Sequence, residues 1–206
     1  MKINQRGRSM VEMLGVLAII GILSVGALAG YSKAMFQHKL NKQMEQINEL
    51  LLGITKYQND LYGLNQTSMM NILKKLHSVP EGMIQNESGT YWYDDFKNRV
   101  WVSPSTAEDI VLHISLSSLK DDNEAALREC QNIFTIAKEW ASELCYFETI
   151  SAASSENRRL KQYYGDRCCQ SCSKIRNLNT QKIFEMCNFH SQNDTTSVSL
   201  KFWWRK

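Results

Sequence analysis

The chain has 206 residues, which is enough for one modest domain or for one domain with an extension. Its hydrophobic fraction of 43% and its charged fraction of 22% are ordinary for a folded protein and exclude a wholly disordered chain. The formal net charge of +3 is too balanced to indicate a nucleic-acid-binding protein on its own, while six cysteines are many for a cytosolic protein.

The amino-terminal part contains an apolar segment, residues 10–30, in which Glu12 is the one charged residue. About 20 apolar residues are needed for a helix to cross the hydrocarbon core of a bilayer, so this segment has the length of a transmembrane helix. Lys2, Arg6 and Arg8 precede it without any acid. Because the apolar region of a secretory signal peptide is shorter, this pattern favours a membrane anchor.

Helical periodicity continues beyond the apolar segment. A stripe of apolar residues is spaced by three, four or seven positions and consists of Phe36, Leu40, Met44, Ile47, Leu51, Ile54 and Leu61. Polar residues, Gln43 and Gln46 among them, are predicted to cover the other faces. The sequence therefore predicts one helix from about residue 10 to residue 62, with residues 31–62 amphipathic. Its first half needs lipid or sister helices around it, and its second half needs a globular head.

A short motif connects the basic start to the apolar segment. Gly7 is followed by Arg8-Ser9-Met10-Val11-Glu12, so that Glu12 is the fifth residue after Gly7 and a long apolar run comes next. This pattern resembles the leader and first residues of type IV pilins and of type II secretion pseudopilins. The resemblance implies that residues 1–7 are a leader, that prepilin peptidase cleaves between Gly7 and Arg8, and that the new amino terminus on Arg8 is methylated.

A carboxylate inside an apolar span costs a few kcal/mol unless it is paired or neutral. Glu12 either lies at the membrane interface and reaches water, or it pairs with a cation of a neighbouring subunit. The amine and guanidinium of a neighbour's Arg8 are the cations expected there, and such a pair would set the register of subunits. Gly26 and Gly30 form a GxxxG pattern that allows helices to approach closely, although glycine is also common in membrane helices in general.

Residues 63–206 are predicted to form a globular head with a mixed pattern of helices and strands. Helices are predicted over 67–77 and 121–144, with Asn65 or Thr67 capping the first and Asp121 or Asp122 the second. Strands are predicted over 91–93, 99–102, 110–116, 145–150, 183–189 and 197–204, the strand 110–116 being half-buried, and residues 151–166 are predicted to be a loop. The predicted fold class is α+β, with the long helix packed on a small, mostly antiparallel sheet.

The six cysteines all lie in the carboxy-terminal part, at Cys130, Cys145, Cys168, Cys169, Cys172 and Cys187. Outside the cytoplasm they would form disulfides, for which the sequence allows 15 pairings. The cluster at 168, 169 and 172 can supply partners for the other three, but the sequence does not choose among the pairings. Cys169, Cys172, Cys187 and His190 have the spacing of a zinc site, which is an alternative, and a redox-active CxxC is another.

Catalytic motifs are not evident, and no cofactor or catalytic residue is expected. The four histidines lack a recognisable serine or acid partner, and His113 is predicted to face solvent on a strand. The basic run Arg158, Arg159 and Lys161 is predicted to be a solvated loop, with a nucleic-acid or surface-binding patch as the alternative. The aromatic end Phe202, Trp203 and Trp204 is predicted to be either the last core strand or a contact surface.

The resemblance implies a non-enzymatic, structural function for the chain. The chain is expected to be an inner-membrane protein with a periplasmic head, which is processed and then polymerised through its long helix into a pilus-like filament. Expected partners are like or related pilin subunits, prepilin peptidase, the inner-membrane assembly platform and the lipid bilayer. The alternatives are a pseudopilin of a type II secretion system, or an uncleaved single-span periplasmic binding protein.

Overall fold

A computed structural model of the protein describes residues 10–116, 123–152, 158–168, 172–188 and 197–206. The chain divides into two compact units, Met1–Lys39 and Leu40–Lys206. The first unit contains the beginning of helix α1, which covers Met10–Leu61 and is kinked at Tyr57, whose backbone is not helical. These bounds confirm the long helix predicted from the periodicity.

The second unit begins within α1 and contains all the other elements. Among the described residues, three further α-helices, α2 (Gln66–Lys75), α3 (Asn123–Glu139) and α4 (Thr180–Cys187), and a short 3-10 helix (Ile175–Asn177) accompany the strands β1 (Ile84–Gln85), β2 (Trp92–Tyr93), β3 (Arg99–Ser103), β4 (Asp109–Leu116), β5 (Tyr146–Ala152), β6 (Arg158–Tyr164) and β7 (Ser197–Arg205). The strands form one sheet in the order β1-β2-β3-β4-β7-β5-β6, and every neighbouring pair is antiparallel. The predicted α+β class, with a long helix and an antiparallel head, is confirmed.

The core of the second unit is formed by one face of the sheet together with helices. From residue 40 onward, α1 buries an apolar stripe that includes Ile47, Leu50, Leu51 and Ile54, all with no solvent exposure. Polar contacts position this part of the helix, because Trp140 donates to Asn48 Oδ1 at 2.8 Å and Trp204 donates to Thr55 Oγ1 at 3.2 Å. Both tryptophan rings pack against α1, and the indole nitrogen of each still has a hydrogen-bond acceptor there.

Local signals explain the first helix and hairpin of the head. Asn65 caps α2 as predicted, since its side chain accepts a hydrogen bond from the backbone nitrogen of Ser68 at 2.9 Å. β2 and β3 form the predicted hairpin. The Asp94 side chain organises its turn by accepting bonds from the backbone nitrogens of Phe96 and Asn98 at 2.9 and 2.8 Å. The predicted caps Asp121 and Asp122 lie outside the described residues.

Two sequence predictions of secondary structure were wrong. Residues 158–164 are strand β6 rather than loop, because they pair with β5 over seven positions at the edge of the sheet, where polar side chains are tolerated. Residues 180–187 are helix α4 rather than strand. Asn179 caps this helix, and Ile183, Met186 and Cys187 are buried at helical spacing.

β4 is buried on both faces and is therefore not the half-buried strand that its alternating sequence predicts. It lies between β3 and β7 inside the sheet, and His113 is the one residue of its eight that is not fully buried. The face of β4 that carries Val111 and His113 is covered by aromatic side chains of neighbouring strands. Trp203 is paired with Val111, and Trp101 is stacked on His113 with a ring separation of 4.6 Å.

Candidate functional site

The described part of the first unit has an exposed apolar surface. Residues 10–35 of α1 are all exposed, and individual side chains show large fractions, such as 74% for Ile22 and 66% for Leu23. The exposed large apolar side chains lie on every side of the helix: Met10, Val11, Met13, Leu14, Val16, Leu17, Ile19, Ile20, Ile22, Leu23, Val25, Leu28, Tyr31 and Met35. Among the described residues, α1 is the one helix that is long and apolar enough to cross a membrane.

The predicted assembly residues lie within this apolar surface. Glu12 is in the first turn of α1, between exposed Val11 and Met13. A Cβ atom added to Gly26 or Gly30 would meet nothing within 4 Å, so that both positions are open to close approach by another helix. The predicted cleavage residues Gly7 and Arg8 lie outside the described residues.

A cluster of four buried polar side chains lies beneath the hairpin turn of the second unit. Gln43 from α1, Asp94 and Asn98 from the turn, and Glu129 from α3 are each exposed by 3% or less. The Gln43 amide nitrogen donates to Asp94 Oδ2 at 3.1 Å and to Glu129 Oε2 at 3.2 Å. The Asn98 amide nitrogen donates to the same two oxygens. Two amide groups therefore bridge two buried carboxyl groups.

The cluster joins three elements that are distant in the sequence. Burial raises the pKa of Asp94, while the hydrogen bonds from Gln43 and Asn98 act against this increase. Sequence analysis missed all four residues and placed Gln43 and Gln46 on the wrong side of the helix. A signal was present for Gln43, because it lies three residues after Leu40 and four before Ile47, on the buried stripe. The arrangement serves to hold α1 against the hairpin and α3.

His113 has a different environment from the one predicted. It does not point freely to solvent, because its ring stacks on Trp101 and its Nε2 lies 2.8 Å from Ser103 Oγ. Burial, and secondly the charge of Lys201, lowers the pKa of His113 to about 3. The imidazole is therefore neutral at physiological pH and forms part of the packing on the second face of the sheet.

The disulfide candidates form two pairs in the described part of the chain. Cys130 of α3 is bonded to Cys187 of α4, and Cys145 is bonded to Cys168. Disulfide bonds were predicted at these residues without a choice of pairing; Cys168 of the cluster is bonded to Cys145, whereas Cys130 and Cys187 are bonded to each other and not to the cluster. Those two cysteines meet because α3 packs against α4.

Two cysteines of the alternative zinc set cannot act as ligands in this arrangement. The sulfur of Cys187 is bonded to Cys130, and Cys172 is disulfide-bonded as well, so neither offers the thiolate that zinc requires. Cys169 and His190 lie outside the described residues. Within the described residues, no group of three or more His, Cys, Asp or Glu side chains has an arrangement that could hold a metal ion.

The aromatic end of the chain and the basic run, which were the two remaining candidate surfaces, both lie on strands of the sheet. The aromatic end belongs to the core strand β7, in which Phe202 and Trp204 have no exposure and Trp203 has 8%. The basic run belongs to the edge strand β6, in which Lys161 is exposed and Leu160 is 57% exposed. The aromatic residues therefore serve packing, while the basic strand remains available at the sheet edge.

Comparison of the chain with models of known protein families, with curated proteins and with solved structures found no match.

Proposed function

We propose that this chain is a structural subunit of a type IV pilus-like filament and polymerises through the first half of α1. It would be made as an inner-membrane precursor, cleaved between Gly7 and Arg8 by prepilin peptidase, and methylated on Arg8. An inner-membrane platform would then add it to like or related subunits. The proposal involves neither a catalytic reaction nor a cofactor.

The observation that carries the proposal is the exposed apolar half of α1. Burying apolar surface contributes about 25 cal/mol per Å², so residues 10–35 are unfavourable in water and need lipid or apolar neighbours. A bilayer covers them in the precursor, and the equivalent helices of other subunits cover them in a filament. Gly26 and Gly30, which have open space beside them, permit the close packing that a bundle of such helices needs.

The position of Glu12 supports assembly over simple anchoring. Membrane anchoring needs no acid in the apolar segment, and the acid adds a cost of a few kcal/mol. In a bundle, the amino-terminal amine and guanidinium on Arg8 of a neighbour offset that cost. Under this proposal, Glu12 selects the axial position at which each new subunit stops.

The disulfides support a head on the periplasmic side. Cys130–Cys187 and Cys145–Cys168 need an oxidising compartment, because cytosolic thiols are kept reduced. The basic residues do not select an orientation, since three precede the apolar segment and three follow it within residues 31–42. A periplasmic head also places the second unit on the outside of a filament.

The intact mass of the protein, purified from its native membrane without reductant, tests the processing step. We expect a mass that lacks residues 1–7 and carries one added methyl group. Replacing Gly7 by Val in a matched sample should preserve the full-length mass, since the leader is then not removed. A full-length, unmethylated mass of the wild-type chain would contradict the proposal and leave a single-span anchored protein.

Cell fractionation then separates a pilus from a secretion pseudopilus. In the pilus case, shearing releases the processed chain in extracellular filaments. In the pseudopilus case, the processed chain stays in the cell envelope, and its removal stops the export of secreted proteins. The filament proposal is wrong if the processed chain is never found in sheared material.

A further inference from the structure

A surface pocket lies between α1 and the turn that precedes β1. It has a volume of about 470 Å³ and is lined by Lys42, Glu45, Gln46, Glu49, Pro80, Glu81 and Gly82. The α1 residues recur at positions i, i+3, i+4 and i+7, so they form one face of the helix. The pocket lies entirely within the second unit.

The pocket has an excess of negative charge. Glu45, Glu49 and Glu81 are exposed, and within the described residues no ion pair joins any of them to a base. Lys42 is the one base of the lining, and its Nζ lies 3.2 Å from Asp95 Oδ2. The ammonium group of Lys42 is thus engaged outside the acidic set.

A buried acceptor adds a specific polar group to this charge. Gln46 lines the pocket and is 2% exposed. Its amide nitrogen donates to the backbone oxygen of Glu81 at 3.1 Å, whereas its Oε1 atom is buried and has no hydrogen-bond partner. A buried oxygen without a donor is unfavourable, and an N–H donor that enters the pocket beside Gln46 would relieve this.

The chemistry of the pocket selects its ligand. Three carboxylates and one amide oxygen are all acceptors, so that a fitting group carries positive charge and several N–H donors. An ammonium or a guanidinium group meets both conditions. A metal ion fits less well, because the described residues hold no cluster of three acidic side chains with metal-binding geometry.

A basic strand lies at the opposite edge of the sheet. The pocket borders the turn before β1, which is one edge strand, and β6 is the other edge strand. β6 contains Arg158, Arg159 and Lys161 without any acid, and Lys161 is exposed. Complementary surfaces on opposite edges of one subunit produce a head-to-tail contact that repeats from copy to copy.

We propose that the acidic pocket of one head binds the basic edge strand β6 of a second copy, with the ammonium group of Lys161 entering the pocket. This contact rests on the proposed function, because a filament is where the copies are brought side by side. It gives the polymer a polar, one-directional contact between heads in addition to that between helices. Charge attraction would also orient each incoming subunit before its helix packs.

Zero-length cross-linking of the full chain in lipid vesicles tests the contact without requiring a filament. Equal amounts of unlabelled and nitrogen-15-labelled protein are reconstituted together at a high protein-to-lipid ratio and treated with a carbodiimide. We expect mass spectrometry to find Lys161 joined to Glu45, Glu49 or Glu81 in peptides that combine both isotopes. Replacing Glu45 and Glu81 by Gln leaves the Glu49 carboxylate able to react and should still reduce the Lys161–Glu49 link several-fold, because the pocket loses two of its three negative charges. Glu87→Gln, an exposed acid outside the pocket, should leave the links unchanged.

A charge swap between the pocket and β6 is a second, independent test of the contact. Glu49→Lys alone should reduce the intermolecular links, and adding Lys161→Glu should restore a link of reversed polarity between the two positions. The control swap of Glu87→Lys with Lys182→Glu should create no such link. If Lys161 gives no intermolecular link to the pocket, or if the pocket carboxylates join only other amines, the proposal is wrong.

The two proposals can fail separately. Pocket links in vesicles, together with an uncleaved chain that never enters filaments, would contradict the filament function and retain the contact. Processed chain in sheared filaments, together with absent pocket links, would retain the function and overturn the contact.

Discussion

At the residue scale, the carboxyl groups of Asp94 and Glu129 show how the head retains buried acids. Each of the two contacted carboxyl oxygens accepts from both Gln43 and Asn98, and Asp94 accepts two more bonds from backbone nitrogens. Buried acids without such donors are strongly destabilising. The amides of Gln43 and Asn98 therefore fix the position of α1 relative to the hairpin more specifically than apolar contact does.

Removing one of these amides should destabilise the head markedly. We expect Asn98→Ala to lower the free energy of unfolding by about 1–3 kcal/mol, because two buried carboxyl oxygens lose a donor. Gln66→Ala, which removes a single bond to the Thr90 carbonyl at 2.7 Å, is the matched control and should cost about 1 kcal/mol. Urea unfolding of the full chain in detergent, followed by tryptophan fluorescence, measures both. An Asn98→Ala variant no less stable than the control would contradict this role.

The neutral His113 should make the stability of the head depend on pH. Its pKa is lowered to about 3 in the fold, whereas an unfolded histidine titrates near pH 6.5. Between these values the unfolded chain binds the proton and the folded chain does not, so stability decreases as the pH falls from about 6.5 towards 3. The slope is at most about 1.4 kcal/mol per pH unit.

Urea titrations of the wild type and of His113→Gln at several pH values check this expectation. The raised pKa of Asp94 acts in the opposite direction, since the folded state then retains its proton to a higher pH. This contribution is common to both proteins and cancels in the difference between the two curves. We expect the difference to change steadily below pH 6.5, and parallel curves would show that His113 does not contribute.

At the element scale, the parts predicted correctly are those with strong local signals. Helix α1 has a long apolar stripe, α2 has its Asn65 cap, and β2 and β3 flank a polar turn. Strand β6 and helix α4 were not predicted correctly because their local sequences are ambiguous. The charges of β6 are compatible with a loop or with a sheet edge, and only its pairing with β5 decides between them. The short apolar run in α4 is compatible with the helical period of about 3.6 residues and with the strand period of two residues, so it does not decide between a helix and a strand.

The disulfide pattern depends on the packing of elements, which the sequence does not encode locally. Removing Cys130–Cys187 by two Ala substitutions should lower the free energy of unfolding by about 4 kcal/mol, from the entropy of a loop of 57 residues. Removing Cys145–Cys168, which closes 23 residues, should cost about 3 kcal/mol. Equilibrium urea unfolding without reductant gives both values. A negligible effect of the first pair would mean that α3 and α4 hold together without it.

At the scale of the whole molecule, some candidate residues lie together in a sequence motif, whereas others come together only when the chain folds. Gly7, Glu12 and the apolar segment lie close together in the sequence, and a motif there was enough to propose them. The acidic pocket was not proposed from the sequence, because Gln46 was assigned to an exposed face and Glu81 comes from a turn more than thirty positions later. The same holds for the edge position of Lys161, which follows from strand order alone.

The strand order also has a consequence for how the protein is made. β7 comes after every other described strand, yet it lies between β4 and β5 and pairs with both along its length. Until β7 has been synthesised, β1–β4 and β5–β6 are two separate ribbons with open inner edges. The sheet is therefore completed only when its last strand is available. In the interval before that, the open edges of β4 and β5 can pair with other chains, so folding of the head has a stage at which aggregation competes with it.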